Sequence, residues 1–258
     1  MTATPPVMQW FNVSRRHPHA RARLFCFPYA GGGASIYRNW SRLLPPEIEV
    51  CAAHLPGRDR RIKESPFTDL SEMVSVIAET IVPYLDLPMA FFGHSMGAMI
   101  SFELARKLRE TQNMRPAHLF VSGRRAPQLP IEEPITYNLP EPQLMKELRR
   151  LNGTPTEVLE HPELMQLMLP LLRADFSVVE TYSYRPGAPL DCPVTVFGGL
   201  QDAEVSRQDL EAWGELTNAA FSLRMLAGDH FFLNTPSTQE LLLRSIAQQL
   251  QKYLQHTA

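Results

Sequence analysis

Three cysteines in 258 residues are too few, and odd in number, for a disulfide framework. Cys26, Cys51 and Cys192 each fall within or at the start of an apolar run, so they are expected as small, reduced core residues. No run of about 18 apolar residues occurs, so no membrane-spanning helix is expected. Neither sign of charge prevails: 25 Lys and Arg stand against 27 Asp and Glu, a formal net charge of -2. That balance gives no reason to expect nucleic acid as a partner. The N-terminus, Met1 to Trp10, lacks the basic start and apolar centre of a signal peptide, and a cytoplasmic location is expected. Phosphate-binding fingerprints are missing too: neither G-x-x-x-x-G-K-[ST] nor G-x-G-x-x-G occurs.

What is present is an ordinary globular composition, 44% hydrophobic and 20% charged. The length suits one large α/β domain, or one domain carrying an insertion. Six short apolar runs predict strands: Arg23–Phe27, Glu49–Ala53, Pro88–Phe92, Ala117–Val121, Pro193–Phe197 and Phe221–Leu226. Helical patterns separate most of them, at Ser35–Leu44, Leu70–Leu85, Ala98–Arg109 and Ser206–Leu216, with a last one at Ser237–Tyr253. Continuous apolar strands alternating with helices indicate a mostly parallel sheet covered on both faces.

Residues 124–189 break this rhythm, holding ten of the 23 prolines. Helical stretches at Glu141–Leu151, Pro162–Leu172 and Arg173–Tyr184 lie between them. So long a connection needs structure of its own. It is expected as a helical insertion in a single domain whose core is 1–123 and 190–258. Ligands of open α/β sheets bind at the C-terminal strand edge, and the insertion is expected to lie over that edge as a lid. The alternative is a structural subdomain packed on the core.

The chemistry centres on Gly93-His94-Ser95-Met96-Gly97, a G-x-S-x-G sequence between an apolar strand and a buried helix. That context predicts a nucleophile elbow, with the Ser95 hydroxyl at the apex of a strained turn. The bland alternative is an unreactive Gly-Ser turn. A serine hydroxyl needs a base, and the base an orienting acid. In elbow-built sites the chain order is serine, acid, histidine. Of the histidines that follow, His118 sits inside a strand, His161 in the insertion and His256 at the C-terminus. His230, on a loop just after the last strand, is the candidate base. The loop after the preceding strand offers Asp202 as the acid, with Glu204 as the alternative. Asp175, in the insertion, is taken as an ordinary helix residue. The expected oxyanion donors are the backbone N–H groups of Met96 and of Ala30, in the loop "FPYAGGGAS", with Tyr29 as a one-residue alternative.

Taken together, "FPYAGGGAS" (27–35), "LPGRDRR" (55–61), "FFGHSMGA" (91–98), "LLRADFSVVETY" (171–182) and "GDHFFL" (228–233) resemble, in order, the motifs of the type II thioesterases. These are the stand-alone α/β-hydrolase enzymes that accompany polyketide synthases and nonribosomal peptide synthetases. The resemblance covers nearly the whole chain. It implies the α/β-hydrolase fold, a Ser95–Asp202–His230 triad and a lid at 124–189. It also implies a task, hydrolysing stalled or wrong acyl groups from the phosphopantetheine thiols of acyl or peptidyl carrier proteins. No metal or diffusible cofactor is required, and a monomer is the default expectation. Carrier proteins are usually acidic, so two basic clusters are candidates for a steering rim: Arg58, Arg60, Arg61 and Lys63, and Arg124 with Arg125. Two other readings use the same residues differently: a carboxylesterase acting on free small esters, and a non-catalytic hydrolase-like binding protein.

Overall fold

Seven strands form one sheet in the computed structural model, which describes residues 10–13, 17–130 and 135–256. The stretch before Trp10, weighed above as a signal peptide, and residues 131–134 of the insertion lie outside the described residues. The strands are β1 (Phe11–Val13), β2 (Ala22–Phe27), β3 (Ile48–Ala53), β4 (Met89–His94), β5 (His118–Ser122), β6 (Val194–Gly199) and β7 (Phe221–Leu226). Their order across the sheet is β1-β3-β2-β4-β5-β6-β7. Only β1, on the edge beside β3, runs antiparallel.

All six expected strands form, within a few residues of their expected ends. β1 was not expected, because three residues carry too little alternation to register as a strand. Successive side chains point to opposite faces, and the two faces bury different sets. Phe25, Phe27 and Phe91 join one core cluster, while Leu24, Cys26, Ala90 and Phe92 join the other. Both layers are closed by helices, which is why the strands read as unbroken apolar runs. The three cysteines are buried and unbridged.

The helices are α1 (Trp40–Leu43), α2 (Leu70–Thr80), α3 (Met96–Gln112), α4 (Glu141–Leu151), α5 (Thr156–Leu159), α6 (Pro162–Glu180), α7 (Arg207–Glu211) and α8 (Pro236–His256). Four depart from expectation for identifiable reasons. The stretch 35–44 is a 3-10 turn plus the four-residue α1, and Leu44 is extended. The residue before a proline is pushed out of the helical region, and Pro45 follows. α2 stops at Thr80, because Pro83 has no N–H and its ring would collide with the carbonyl of Glu79. Beyond α7, Ala212–Leu216 tightens to 3-10, where Trp213 donates its indole N–H to Arg124 O at 2.8 Å. The two helices expected at 162–184 are one, α6, which continues through Pro170. Burial of Leu169, Leu171 and Leu172 on both sides of the proline offsets its missing hydrogen bond.

Between β5 and β6, α4, α5 and α6 enclose a small cluster of their own: Leu144, Leu148, Leu159, Met165, Leu169 and Leu172. The C-terminal half of α6 belongs instead to the main core, through Val178. No helix among the described residues is long and apolar enough to cross a membrane.

One buried histidine ties this core to pH. His118 stacks on Phe120 and shares a 2.8 Å hydrogen bond with Thr195 Oγ1. Burial pushes its pKa from 6.5 down to about 4. A lowered folded pKa means the unfolded chain takes up the proton first, so stability present above pH 6.5 is lost as pH falls towards 4. The loss attributable to this group reaches about 3 kcal/mol at pH 4. Thermal melts of the protein and of His118→Gln across pH 7 to 4 are expected to show the steeper fall in the parent. Parallel curves would remove this account.

Candidate active site

β4 ends at His94 and α3 begins at Met96, so one residue, Ser95, makes the entire turn between them. Its backbone sits at φ 53°, ψ -111°, a strained position for a residue with a Cβ. The surroundings hold it there. Ser95 N donates to Ser122 O at 2.8 Å, and Ala98 N donates to Ser95 O at 3.0 Å. The flanking glycines are there for close approach: a Cβ on Gly93 would lie 1.9 Å from Gly97 O, and one on Gly97 would lie 2.0 Å from Phe27 O. His94, fully buried beneath the turn, bonds Ser122 Oγ through Nδ1 at 2.9 Å. Burial, and then the proximity of His230, lower its pKa well below the usual imidazole range, so it is a neutral packing group.

His230 and Asp202 meet across the loops that follow β7 and β6, with Nδ1 2.8 Å from Oδ2. The other carboxylate oxygen of Asp202 accepts from Glu204 N at 2.9 Å and Val205 N at 3.3 Å. The Asp202 side chain is 1% exposed and that of His230 is 13% exposed, so the pair is shielded while the imidazole keeps access. The two loops are tied to each other. Gln201 N donates to Gly228 O at 2.9 Å, and Gly228 N donates to Gln201 Oε1 at 2.6 Å. A Cβ on Gly199 would come within 2.4 Å of Asp229 O, so the glycine permits that approach.

The alternative acid, Glu204, and two further carboxylates, Asp229 and Asp191, have other partners. Glu204 is held by Arg150 of α4, at 2.6 and 3.0 Å. Asp229 accepts from Phe231 N and from Asn152 Nδ2. Asp191 lies 3.9 Å from Arg109.

In the loop after β2, two N–H groups are already engaged: Gly31 N donates to Asp175 Oδ2 at 2.7 Å, and Gly32 N to Tyr29 O at 2.9 Å. Ala30 faces the same cavity as Ser95 and His230. Met96 opens α3, whose first-turn N–H groups have no partner within the helix. The cavity holds about 690 Å³, a volume suited to a small-molecule ligand. The insertion contributes to its lining, with Leu148 of α4 and Leu172, Phe176 and Val179 of α6.

Two expectations are corrected here. Arg58 and Arg61 are not part of a basic rim: both are buried, Arg58 against Asp175 and Arg61 against Glu64 with its guanidinium over the Trp10 ring. Only Arg60 and Lys63 of that cluster are exposed. Arg124 and Arg125 line the cavity instead. Nor is Asp175 an ordinary helix residue, since it is fully buried and bonded to the glycine loop. The signal was there to be read: Leu171, Leu172, Asp175, Val178 and Val179 set one carboxylate into an apolar helical stripe.

Comparison with known proteins gives the family and the fold. The thioesterase domain model matches residues 22–250. The gramicidin S biosynthesis protein GrsT of Aneurinibacillus migulanus is 52% identical over 90% of this chain and 91% of its own length. A protein of Brevibacillus parabrevis named linear gramicidin dehydrogenase LgrE is 47% identical, over 95% and 94%. Among solved structures, the type II thioesterase BorB from the borrelidin biosynthetic cluster superposes with a TM-score of 0.84 at 37% identity, over 93% of this chain and 97% of BorB. With a mostly parallel sheet, an elbow at the end of its central strand and this degree of likeness, the chain belongs to the thioesterase domain family and has the α/β-hydrolase fold.

Proposed function

We propose that this enzyme hydrolyses acyl thioesters from the phosphopantetheine arms of acyl or peptidyl carrier proteins, as an editing thioesterase of a polyketide or nonribosomal peptide pathway. The observation that carries the reading is the cavity. It is lined by Ser95 and His230 together with apolar side chains of the insertion, and His230 is backed by Asp202.

In this reading Ser95 Oγ attacks the thioester carbonyl while Nε2 of His230 takes its proton. Asp202, bonded to Nδ1, fixes the imidazole tautomer and stabilises the imidazolium. The N–H groups of Ala30 and Met96 hold the oxyanion. The C–S bond breaks, His230 returns the proton to the departing sulfur, and an acyl-Ser95 ester remains. Water, deprotonated by His230, cleaves that ester and regenerates the hydroxyl. These steps consume no redox equivalent, and the dinucleotide fingerprint is missing from the sequence. The proposed reaction is a hydrolysis, unlike the dehydrogenation stated in the name of one relative.

The insertion serves as the lid of a single domain. Arg150 of α4 reaches the loop bearing Asp202 through its fork to Glu204, but Arg150 is half exposed. A bridge of that kind contributes no more than about 1 kcal/mol, so it does little to hold α4 against that loop. The protein is placed in the cytoplasm as a monomer, with the carrier as its partner.

The test is a panel of acyl-loaded carrier proteins, followed by intact mass for loss of the acyl group and set against p-nitrophenyl esters. Carrier thioesters are expected to give the higher kcat/KM. A large preference for the free esters would favour the carboxylesterase reading and end this one.

A further inference from the structure

The buried pair between Asp175 and Arg58 has no part in the steps above, yet it touches the loop that carries Ala30. Asp175 Oδ2 accepts from Gly31 N at 2.7 Å and from Arg58 Nη1 at 2.9 Å, and Oδ1 accepts from Arg58 Nη2 at 2.7 Å. Arg58 Nη1 also donates to Gly32 O at 2.9 Å, and its Nε to Pro56 O at 3.3 Å. Asp175 is 0% exposed and Arg58 is 5% exposed. One turn before Asp175, Leu172 packs on the same loop, so closely that a Cβ on Gly31 would meet its Cδ2 at 2.7 Å. Gly31 itself stands at φ +76°, and Gly32 N closes back on Tyr29 O. The peptide groups on both sides of Ala30 are thus pinned: the Tyr29 carbonyl from within the loop, the Gly31 N–H by a carboxylate from α6.

Two charges withdrawn from water are a weak source of stability, since desolvation cancels much of their attraction. What a fork of this kind supplies is geometry, because two parallel hydrogen bonds fix both partners in plane. Oxyanion stabilisation depends on donors placed in advance.

We propose that Asp175 and Arg58 are positioning residues for the oxyanion hole: they fix the 29–33 loop from the lid-side helix α6, so that the Ala30 N–H is aimed before substrate arrives. The inference rests on the function proposed above, with Ser95 as nucleophile and Ala30 as a donor.

The test uses the full-length enzyme and three readouts: kcat and KM on an acyl-carrier thioester, affinity for an acyl boronic acid that forms a tetrahedral adduct with Ser95, and Tm. Removing one oxyanion donor outright costs about 10²- to 10³-fold. Misaiming one is expected to cost less, roughly 10- to 100-fold in kcat for Asp175→Asn and for Arg58→Gln, with KM within about threefold. Boronate affinity is expected to fall in step with kcat/KM, because only the tetrahedral species places an oxygen anion in the hole. Asp175→Asn/Arg58→Gln is expected to be no slower than the slower single variant, as for two members of one device. Should either single variant fail to fold, Arg58→Lys keeps the charge without the fork, and an intermediate loss is expected. A folded variant with unchanged kcat, or a fall in kcat with boronate affinity untouched, overturns the proposal. Ser95→Ala, run alongside, separates the two levels. If it keeps turnover, the function reading fails; if it is inactive while Asp175→Asn matches the parent, only this inference fails.

Discussion

Ser95→Ala is expected to lower turnover by about 10⁶-fold, the scale seen when a serine nucleophile is removed from a comparable site. Intact mass would then find the carrier still acylated, and a fluorophosphonate probe would leave the protein unlabelled. The size follows from the division of labour. With the hydroxyl gone, His230 has no oxygen to deprotonate, and the residual rate is what binding and the oxyanion donors give to water alone. The fold does not depend on the hydroxyl. The bonds that fix the turn run through the Ser95 main chain, to Ser122 O and from Ala98 N. Alanine keeps the Cβ and so keeps the strain at φ 53°. Ser95→Gly, which removes it, is expected to be equally inactive but to melt above Ser95→Ala. Strain of about 1–3 kcal/mol is relieved there, against about 0.5–1 kcal/mol of extra chain entropy. Substantial turnover in either variant would place the chemistry elsewhere.

Much of this candidate site is legible in the sequence because its signals are local. An elbow announces itself through small residues at fixed spacing between an apolar strand and a buried helix, and Gly93 and Gly97 answer to backbone atoms only 1.9 and 2.0 Å from where a Cβ would be. Asp202 and His230 could be placed because a parallel sheet brings every strand's C-terminal end to the same edge, whatever the sequence distance. Partners fixed by packing between distant segments stayed hidden. Arg58 looked like one of several surface arginines, and nothing local to it reveals a carboxylate 117 positions away. Gln201 likewise showed no sign of tying the acid's loop to the base's loop through Gly228 N. The stretch 35–44 departs from its helical pattern for a different reason: its apolar spacing suggests a longer helix, but Pro45 sets the conformation of Leu44.

Between the two candidate acids, Asp202→Asn is expected to lower kcat by about 10⁴-fold and Glu204→Gln to change it by no more than a few fold. The contacts of Asp202 explain the asymmetry. Its Oδ1 accepts two backbone N–H groups, from Glu204 and Val205, and its Oδ2 faces His230 Nδ1. An asparagine there must keep its carbonyl oxygen towards the two backbone donors, because its NH₂ cannot accept from them. The NH₂ is then turned to His230, where it donates to Nδ1. An imidazole that accepts at Nδ1 carries its proton on Nε2, and that nitrogen can no longer take one from Ser95. The variant therefore retains the shape of the site and loses its base. Glu204 has no such leverage: its carboxylate is held by Arg150, and its contribution to Asp202 is a main-chain N–H that glutamine retains. Steady-state kcat on an acyl-carrier thioester, with Tm to show that both variants fold, decides the matter. A greater loss in Glu204→Gln than in Asp202→Asn would transfer the acid's role to Glu204, and the position of His230 would then have to be explained without the 2.8 Å bond it makes to Asp202.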